Sequence, residues 1–326
     1  MKAVLVDENH NHLVIGNWED PIIGEDDILV SARSTALNRA DLLQKIGKYP
    51  PPSGESTILG LEVAGVVEEV GPSVKQWKTG DRVCALLPGG GYAEKVKVPS
   101  GLAIAVPDDF SFEEAAAIPE VFLTAFLNIF ILGGVQQGQT VLVHAAGGGV
   151  GPAAIQLVKQ FGAKVIATVR SDEKAVACLK YGADIAVNTT TDDFAAKVNI
   201  FTHNTGVNVI LDPVGAAYFE KNLQCLATEG RLILIGFMGG YSLSNLDMRM
   251  IMLRRWRVIG STLRALSVAK KTEIVKRFTE QFMPMFIDGR LKPTIDSVYD
   301  VSDINEAHVR MEQNLNIGKI VVRLNF

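Results

Sequence analysis

Four glycines, Gly147, Gly148, Gly149 and Gly151, stand directly behind the β-branched run TVLVHA and open the apolar stretch GPAAIQLVKQFG. Glycine inside a helix or strand costs roughly 0.5–1 kcal/mol relative to alanine, so some gain must offset them. A strand, a glycine-rich turn and a helix opening at the turn supply one. The helix N-terminus carries unpaired N–H groups and a partial positive charge. Glycines let the backbone approach a pyrophosphate and let the helix pack closely on the strand. The pattern is Ala146-x-Gly148-x-x-Gly151, with alanine where the usual fingerprint has its first glycine. A second strand, KVIATV, follows the helix and supplies the context such a motif needs. Gly148, Gly149 and Val150 are therefore expected to cradle a pyrophosphate; the alternative is a tight turn that binds nothing.

The end of that second strand reads ATVRSDEK. Nucleotide sites that take NAD place Asp or Glu there, to bond the ribose 2′-hydroxyl. Here the acidic position is Val169, followed by Arg170, Ser171 and Lys174. A missing carboxylate removes repulsion, and nearby cations attract a 2′-phosphate. The expected cofactor is NADPH, held by Arg170, Ser171 and Lys174. Asp172 and Glu173 argue mildly against it, but can cap the next helix instead. The competing reading of Arg170 and Lys174 is solvated surface charge.

These residues need a scaffold. Residues 119–264 alternate near-continuous apolar strands with helices, which implies a parallel sheet covered on both faces. Residues 1–118 look β-rich, with short β-branched runs separated by turns such as KTGD and PGGG, and with one helix from Asn38. The tail returns to mixed structure: a helix from Val268 to Ile287, strand IDSVYD, a helix from Ser302 and strand KIVVRL. The tail is expected to rejoin the first part. The fold class is α/β. Aliphatic and aromatic residues make up 48% of 326, enough for sizeable cores. A net charge of −4 gives no electrostatic reason to expect nucleic acid or an anionic membrane. Cys84, Cys178 and Cys225 lie far apart without a CxxC and read as reduced, buried thiols of a cytoplasmic protein. The N-terminus reads as a strand rather than a signal peptide. The run AIPEVFLTAFLNIFILGGV is broken by Pro119, Glu120 and Asn128 and reads as buried helix rather than a membrane span.

The motifs ALNRADLLQKIGKY, ILGLEVAGVVEEVG, GDRVCALLPGGGYAE, AAIPEVFLTAF, AAGGGVG, GVNVILDPVG, STLRA and NIGKIVV run nearly end to end. With them the chain resembles the zinc-independent quinone oxidoreductases of the medium-chain dehydrogenase/reductase superfamily. The branch it most resembles is that of the tumour-suppressor-inducible quinone oxidoreductase. The resemblance implies a GroES-like β-rich catalytic domain from residues 1–118 and 265–326. It implies a Rossmann domain, a doubly wound parallel sheet, over residues 119–264. It also implies reduction of quinones, or of α,β-unsaturated carbonyls, by NADPH.

Zinc-dependent members hold a catalytic metal with Cys, His and a later Cys or Glu. Here Asn38 stands at the first ligand position and Leu61 replaces the His of a GHE motif. Glu62 survives, and Glu120 lies near the third position. Three protein ligands are needed, so no metal is expected. Glu62 is then a paired residue of the site floor. Without a Lewis acid, alcohol oxidation is disfavoured and an electrophile needing little activation fits. Asn38 is the expected donor toward nicotinamide and substrate, with a helix N-cap as its competing role. Tyr49 resembles the family's active-site tyrosine; a loop aromatic packed on the core is the alternative.

For the cofactor, Thr124 resembles the threonine at the nicotinamide side, and Gly236, Phe237 and Met238 the segment that bonds the carboxamide. Thr262, Leu263 and Asn316 lie where relatives touch the nucleotide, while Lys319 is as much a surface pair as a ligand. Relatives carry a tyrosine near the 2′-phosphate where Thr189 follows Asn188 here, which makes adenine-side binding weaker or more dependent on Arg170. The segment RRWRVIGSTL reads as an edge strand that needs covering, and a homodimer is expected. Two other readings stay open: an NADPH-dependent enal or enone reductase, and an NADPH-binding protein that has lost catalysis.

Overall fold

The computed structural model describes residues 1–7, 12–244 and 246–326. It divides into two compact units, Met1–Leu123 with Leu263–Phe326, and Thr124–Thr262.

The first unit opens with β1 (Lys2–Asp7) and β2 (His12–Asn17), an antiparallel pair. Its main sheet uses β3 (Asp27–Ala36), β4 (Glu62–Val70), β5 (Arg82–Leu86), β6 (Lys95–Pro99) and β7 (Ala103–Ala105). The second unit supplies β8 (Thr140–Val143), β9 (Lys164–Val169), β10 (Ile185–Asn188), β11 (Val207–Asp212), β12 (Leu226–Leu234) and β13 (Arg257–Gly260). The tail adds β14 (Ile295–Asp300) and β15 (Lys319–Arg323) to the first sheet. That sheet runs β14-β15-β3-β4-β5-β7, with β6 also on β3. Strand β15 lies antiparallel to β3, Val321 opposite Ala36. The tail therefore does rejoin the first part, and this register sets Lys319 beside the chain that leaves β3 toward Asn38. Phe122, Phe278, Phe282 and Phe286 fill the core behind it, with Phe122 and Phe286 meeting edge to face at 4.9 Å.

The second unit's sheet runs β10-β9-β8-β11-β12-β13, every pair parallel. Counted from β8 this is the Rossmann order 3-2-1-4-5-6. The order reverses beside β8, so the glycine turn leaves the sheet at the switch point where such folds bind ligands. Leu142, Ile166, Ile210 and Leu232 are fully buried, as apolar strands covered on both faces require. A buried polar chain ties the strand ends together. His144 Nδ1 meets Thr168 Oγ1 at 2.8 Å and Nε2 meets Asn222 Oδ1 at 2.7 Å. Asn222 Nδ2 then donates to Asp212 Oδ2 at 2.9 Å. Burial lowers the His144 pKa, in keeping with a neutral ring.

One expected helix changes type along its length, and one expected strand is shorter. The run from Pro119 is an α-helix only to Ala125 and continues as a π-type helix over Phe126–Leu132. The cause is local: Asn128 Nδ2 takes the Thr124 carbonyl at 2.7 Å and competes with the backbone for it. The strand in RRWRVIGSTL spans only Arg257–Gly260, because Arg255 adopts φ 54° in the turn before it. Among the described residues, no helix is long and apolar enough to cross a membrane.

Candidate active site

Asn38 follows β3 and caps the helix Arg39–Lys45. Its backbone N–H donates to Asp41 Oδ2 at 2.7 Å. Its amide is used up within the protein. Nδ2 donates to Glu62 Oε1 at 2.9 Å and to the Ala36 carbonyl at 3.2 Å. Oδ1 accepts from Lys319 Nζ at 2.7 Å. The donor role expected of Asn38 toward substrate therefore does not fit its geometry, since both amide hydrogens are spent.

Lys319 is no surface pair: its side chain is 2% exposed. Its ammonium meets three oxygens: Leu37 O at 2.6 Å, Asn38 Oδ1 at 2.7 Å and Glu62 Oε1 at 2.7 Å. Glu62, fully buried, also accepts the Glu120 backbone N–H on Oε2 at 2.9 Å. It is the paired floor residue that the sequence implies. This donor set does not fit zinc. At the former ligand positions stand a saturated amide, the hydrocarbon of Leu61 and Glu120, and an ammonium already sits on Glu62, where a second cation would be repelled. Among the described residues, no three His, Cys, Asp or Glu side chains form a group that could hold a metal.

Asp41 is fully buried beneath this cluster. It accepts from Asn38 N, from Gly60 N at 3.1 Å and from Tyr92 Oη at 3.2 Å. Burial pushes its carboxyl up to about 6 against these donors and the nearby Lys319. Gly60 has φ 99°, and a Cβ there would come within 2.6 Å of the Tyr92 ring, so the ILGLE turn needs glycine. Tyr92 Oη also meets His308 Nε2 at 3.2 Å. His308 Nδ1 is buried without a partner among the described residues, and burial drives that ring's pKa down to about 3.

Tyr49, half-buried, is held from behind. Arg264 stacks over its ring at 5.1 Å and donates to its carbonyl at 3.3 Å. Arg264 also donates to Pro88 O at 2.7 Å and Gln44 Oε1 at 2.6 Å. Burial raises the Tyr49 phenol, with Arg264 opposing the rise. Sequence reasoning missed Arg264, Asp41, Tyr92 and His308. Only Asp41 carried a local signal, an acidic residue three after the Asn that opens a helix.

In the Rossmann unit, no side chain caps the helix Val150–Gln160, whose N-terminus follows Gly148 and Gly149. Its first backbone N–H groups thus remain for a ligand. A Cβ on Gly151 would lie 2.0 Å from Ala146 O, whereas one on Gly148 finds no atom nearer than 3.5 Å. Gly151 therefore serves packing, and Gly148 leaves open space, as a pyrophosphate cradle requires. Lys174 lays its stem over Gly147, where a Cβ would meet Lys174 Cδ at 2.7 Å. Ser171 Oγ accepts from Lys174 N at 3.3 Å and caps the helix Asp172–Lys180. Asp172 is not that cap; it accepts from Asn188 Nδ2 at 2.8 Å. Arg170 is exposed beside them. Glycine turn, Ser171 and Lys174 thus come together.

Gly236, Phe237 and Met238 follow β12, Phe237 and Met238 exposed, with Met238 N bonded to Pro213 O at 3.1 Å. Thr124 is partly buried and gives its carbonyl to Asn128. Thr262 is exposed and Leu263 buried. Asn316 is buried and donates to Gly318 O at 2.7 Å. Tyr218 Oη donates to Thr189 Oγ1 at 3.0 Å, setting a phenol just past the end of β10.

Two family models match the chain: an alcohol dehydrogenase GroES-like domain over residues 24–108 and a zinc-binding dehydrogenase over residues 149–280. A quinone oxidoreductase-like protein 2 homologue of Nematostella vectensis is 31% identical, over 98% of this chain and 88% of its own. An acryloyl-coenzyme A reductase of Sulfurisphaera tokodaii is 30% identical, over 99% of this chain and all of its own. Among solved structures, the Escherichia coli quinone oxidoreductase complexed with NADPH superposes with a TM-score of 0.86 at 27% identity, over 99% and 98% of the two chains.

Proposed function

The chain belongs to the medium-chain dehydrogenase/reductase superfamily, and from that premise we propose that it is a zinc-independent, NADPH-dependent quinone reductase. The observation that carries this reading is the Lys319 ammonium, bonded to Asn38 and Glu62 where zinc-dependent members hold their metal. Such a site has no Lewis acid to activate an alcohol, so it suits acceptors that are already electrophilic. Bound NADPH would supply the hydride.

The chain's own residues divide the remaining work. Gly149 and Val150 present N–H groups to the pyrophosphate, Gly148, whose own N–H goes to Ala145 O, leaves the space beside them, and Arg170, Ser171 and Lys174 receive the 2′-phosphate. Thr124, Gly236, Phe237, Met238, Thr262, Leu263 and Asn316 complete the nucleotide contacts. Tyr49, locked by Arg264, presents a phenol to the acceptor oxygen. Asn38 acts as a positioning residue, tying β3 to Glu62 and Lys319. The exposed edge of β13 is covered by a second copy of the chain.

The acryloyl-coenzyme A reductase relative favours a second reading, reduction of a conjugated C=C bond. A site of this kind serves either acceptor. NADPH consumption against ortho-quinones, para-quinones and enals, with product analysis, separates the two. Activity with quinones, reduced in Y49F, supports the proposal; consumption only with enals replaces it, and none with any acceptor leaves a nucleotide-binding protein.

A further inference from the structure

Among the described residues, two carboxyls, one amide and one ammonium of the site floor are committed to partners, and a third carboxyl is not. Glu62 accepts from Asn38, Lys319 and the Glu120 N–H. Asp41 accepts from Asn38, Gly60 and Tyr92. The Asn38 amide and the Lys319 ammonium have no hydrogen left to give. Glu120 stands in the first turn of the helix Pro119–Ala125, anchored to Glu62 through its backbone. Among the described residues, its carboxyl makes no hydrogen bond and no ion pair, and it is partly open to solvent. A reduction that adds hydride needs a proton as well, and a carboxylic acid free of partners is the group able to give one and regain it.

Resting on the function proposed above, we propose that Glu120 is the acid that protonates the acceptor oxygen. As hydride adds at one end of the conjugated acceptor, the displaced electron pair reaches the oxygen at the other end. The new O–H bond forms as the Glu120 O–H bond breaks. Glu120 is left as carboxylate and regains its proton from water. The balance is one NADPH, one proton and one acceptor giving NADP⁺ and the reduced acceptor.

The surroundings keep that proton in place at neutral pH. Burial first, and the Glu62 charge second, push the Glu120 carboxyl up to about 8, with Asp41 adding and Lys319 and Arg264 opposing. Tyr49 and Lys271 are the other titratable groups that feel its charge. Tyr49 is a poor source of the proton, since burial holds its phenol above the ordinary value. Asp41 is sealed beneath three donors.

The test compares wild type, E120Q, E120D and K271M. In E120Q, kcat should fall about 100-fold, the scale of a lost general acid, while NADPH binding by fluorescence is unchanged. The wild-type kcat should decline as pH rises through about 8 and show a solvent deuterium effect; both should vanish in E120Q and persist in E120D. K271M should move the decline to higher pH, because a cation that favours the carboxylate is gone. Infrared titration gives a readout apart from turnover: a protonated-carboxyl band at neutral pH, absent in E120Q. Wild-type turnover and pH dependence in E120Q would overturn the proposal, as would an ionised Glu120 at neutral pH. If E120Q fails to fold, the wild-type infrared titration and E120D decide. Wild type that reduces no acceptor removes the reaction itself; turnover unchanged in E120Q removes only the acid.

Discussion

Lys319 Nζ lies 2.7 Å from Glu62 Oε1, with the two side chains 2% and 0% exposed. A pair so far from water holds only if every remaining hydrogen and lone pair finds a partner. Leu37 O and Asn38 Oδ1 complete the ammonium, and Asn38 Nδ2 and Glu120 N complete the carboxylate. The closing strand of the chain thus brings the positive charge that lets an acidic residue of β4 remain buried.

Removing the cation alone should therefore be severe. K319M leaves Glu62 buried and unpaired, and should cost about 3–5 kcal/mol of stability. Adding E62Q should restore much of that loss, because the uncompensated charge is gone. Urea unfolding of the single and double variants measures both. A K319M protein as stable as wild type would show that the pair contributes nothing.

Within the glycine turn, Gly151 is packed tightly and Gly148 faces open space. G151A forces a Cβ to within 2.0 Å of Ala146 O, so the strand and helix must part. A loss of about 1–3 kcal/mol or more is expected. G148A meets nothing nearer than 3.5 Å and should fold normally, yet bind NADPH about tenfold more weakly, about 1.4 kcal/mol. Thermal melts and nucleotide titration of the two variants should give opposite patterns. Equal nucleotide affinity in G148A and wild type would place the pyrophosphate elsewhere.

Much of this frame was legible from residue pattern. The strand VNVILD, the helix Val268–Ile287 and the strand IDSVYD occupy the expected residues, because each is bounded by turn residues. The misreadings have two causes, a partner distant in sequence and a competing side-chain bond. Lys319 sits in KIVVRL like any strand-end lysine until β15 pairs with β3. Arg264 has no local pattern, since its partners Gln44, Tyr49 and Pro88 belong to another stretch of chain. Asn128 takes one carbonyl where the α-helix passes into a π-type helix, which periodicity does not register.

In the proposed function the preference for NADPH rests on Arg170. It stands exposed after β9, and the nearby Asp172 carboxylate is bonded to Asn188. R170A should raise the Kd for NADPH about tenfold and leave that for NADH unchanged. Isothermal titration with both nucleotides measures the difference. Equal wild-type constants would remove the 2′-phosphate from the reading.

Strand β13 ends the six-stranded sheet with its outer edge open, and Val258 on it is 39% exposed. An open edge of this kind invites pairing with a second chain. Light scattering should give twice the 35.3 kDa of one chain, and V258K should shift the mass toward the monomer. A monomeric wild type rules the pairing out.

Stability against pH offers a view of Glu120 that needs no substrate. Its carboxyl rises from 4.5 to about 8 on folding, chiefly through burial. The folded chain therefore binds this proton more tightly than the unfolded one. The stability it contributes is fully present below pH 4.5 and is lost as pH climbs through about 8. Glutamine at the position does not titrate. Between about pH 6 and about pH 9, wild type should lose roughly 1–3 kcal/mol relative to E120Q, since a tenfold gain in proton affinity on folding corresponds to about 1.4 kcal/mol. Asp41 is raised only to about 6 and changes little across that window, so the difference belongs to Glu120. Parallel wild-type and E120Q curves would mean that the carboxyl is already ionised at neutral pH, with no proton to give.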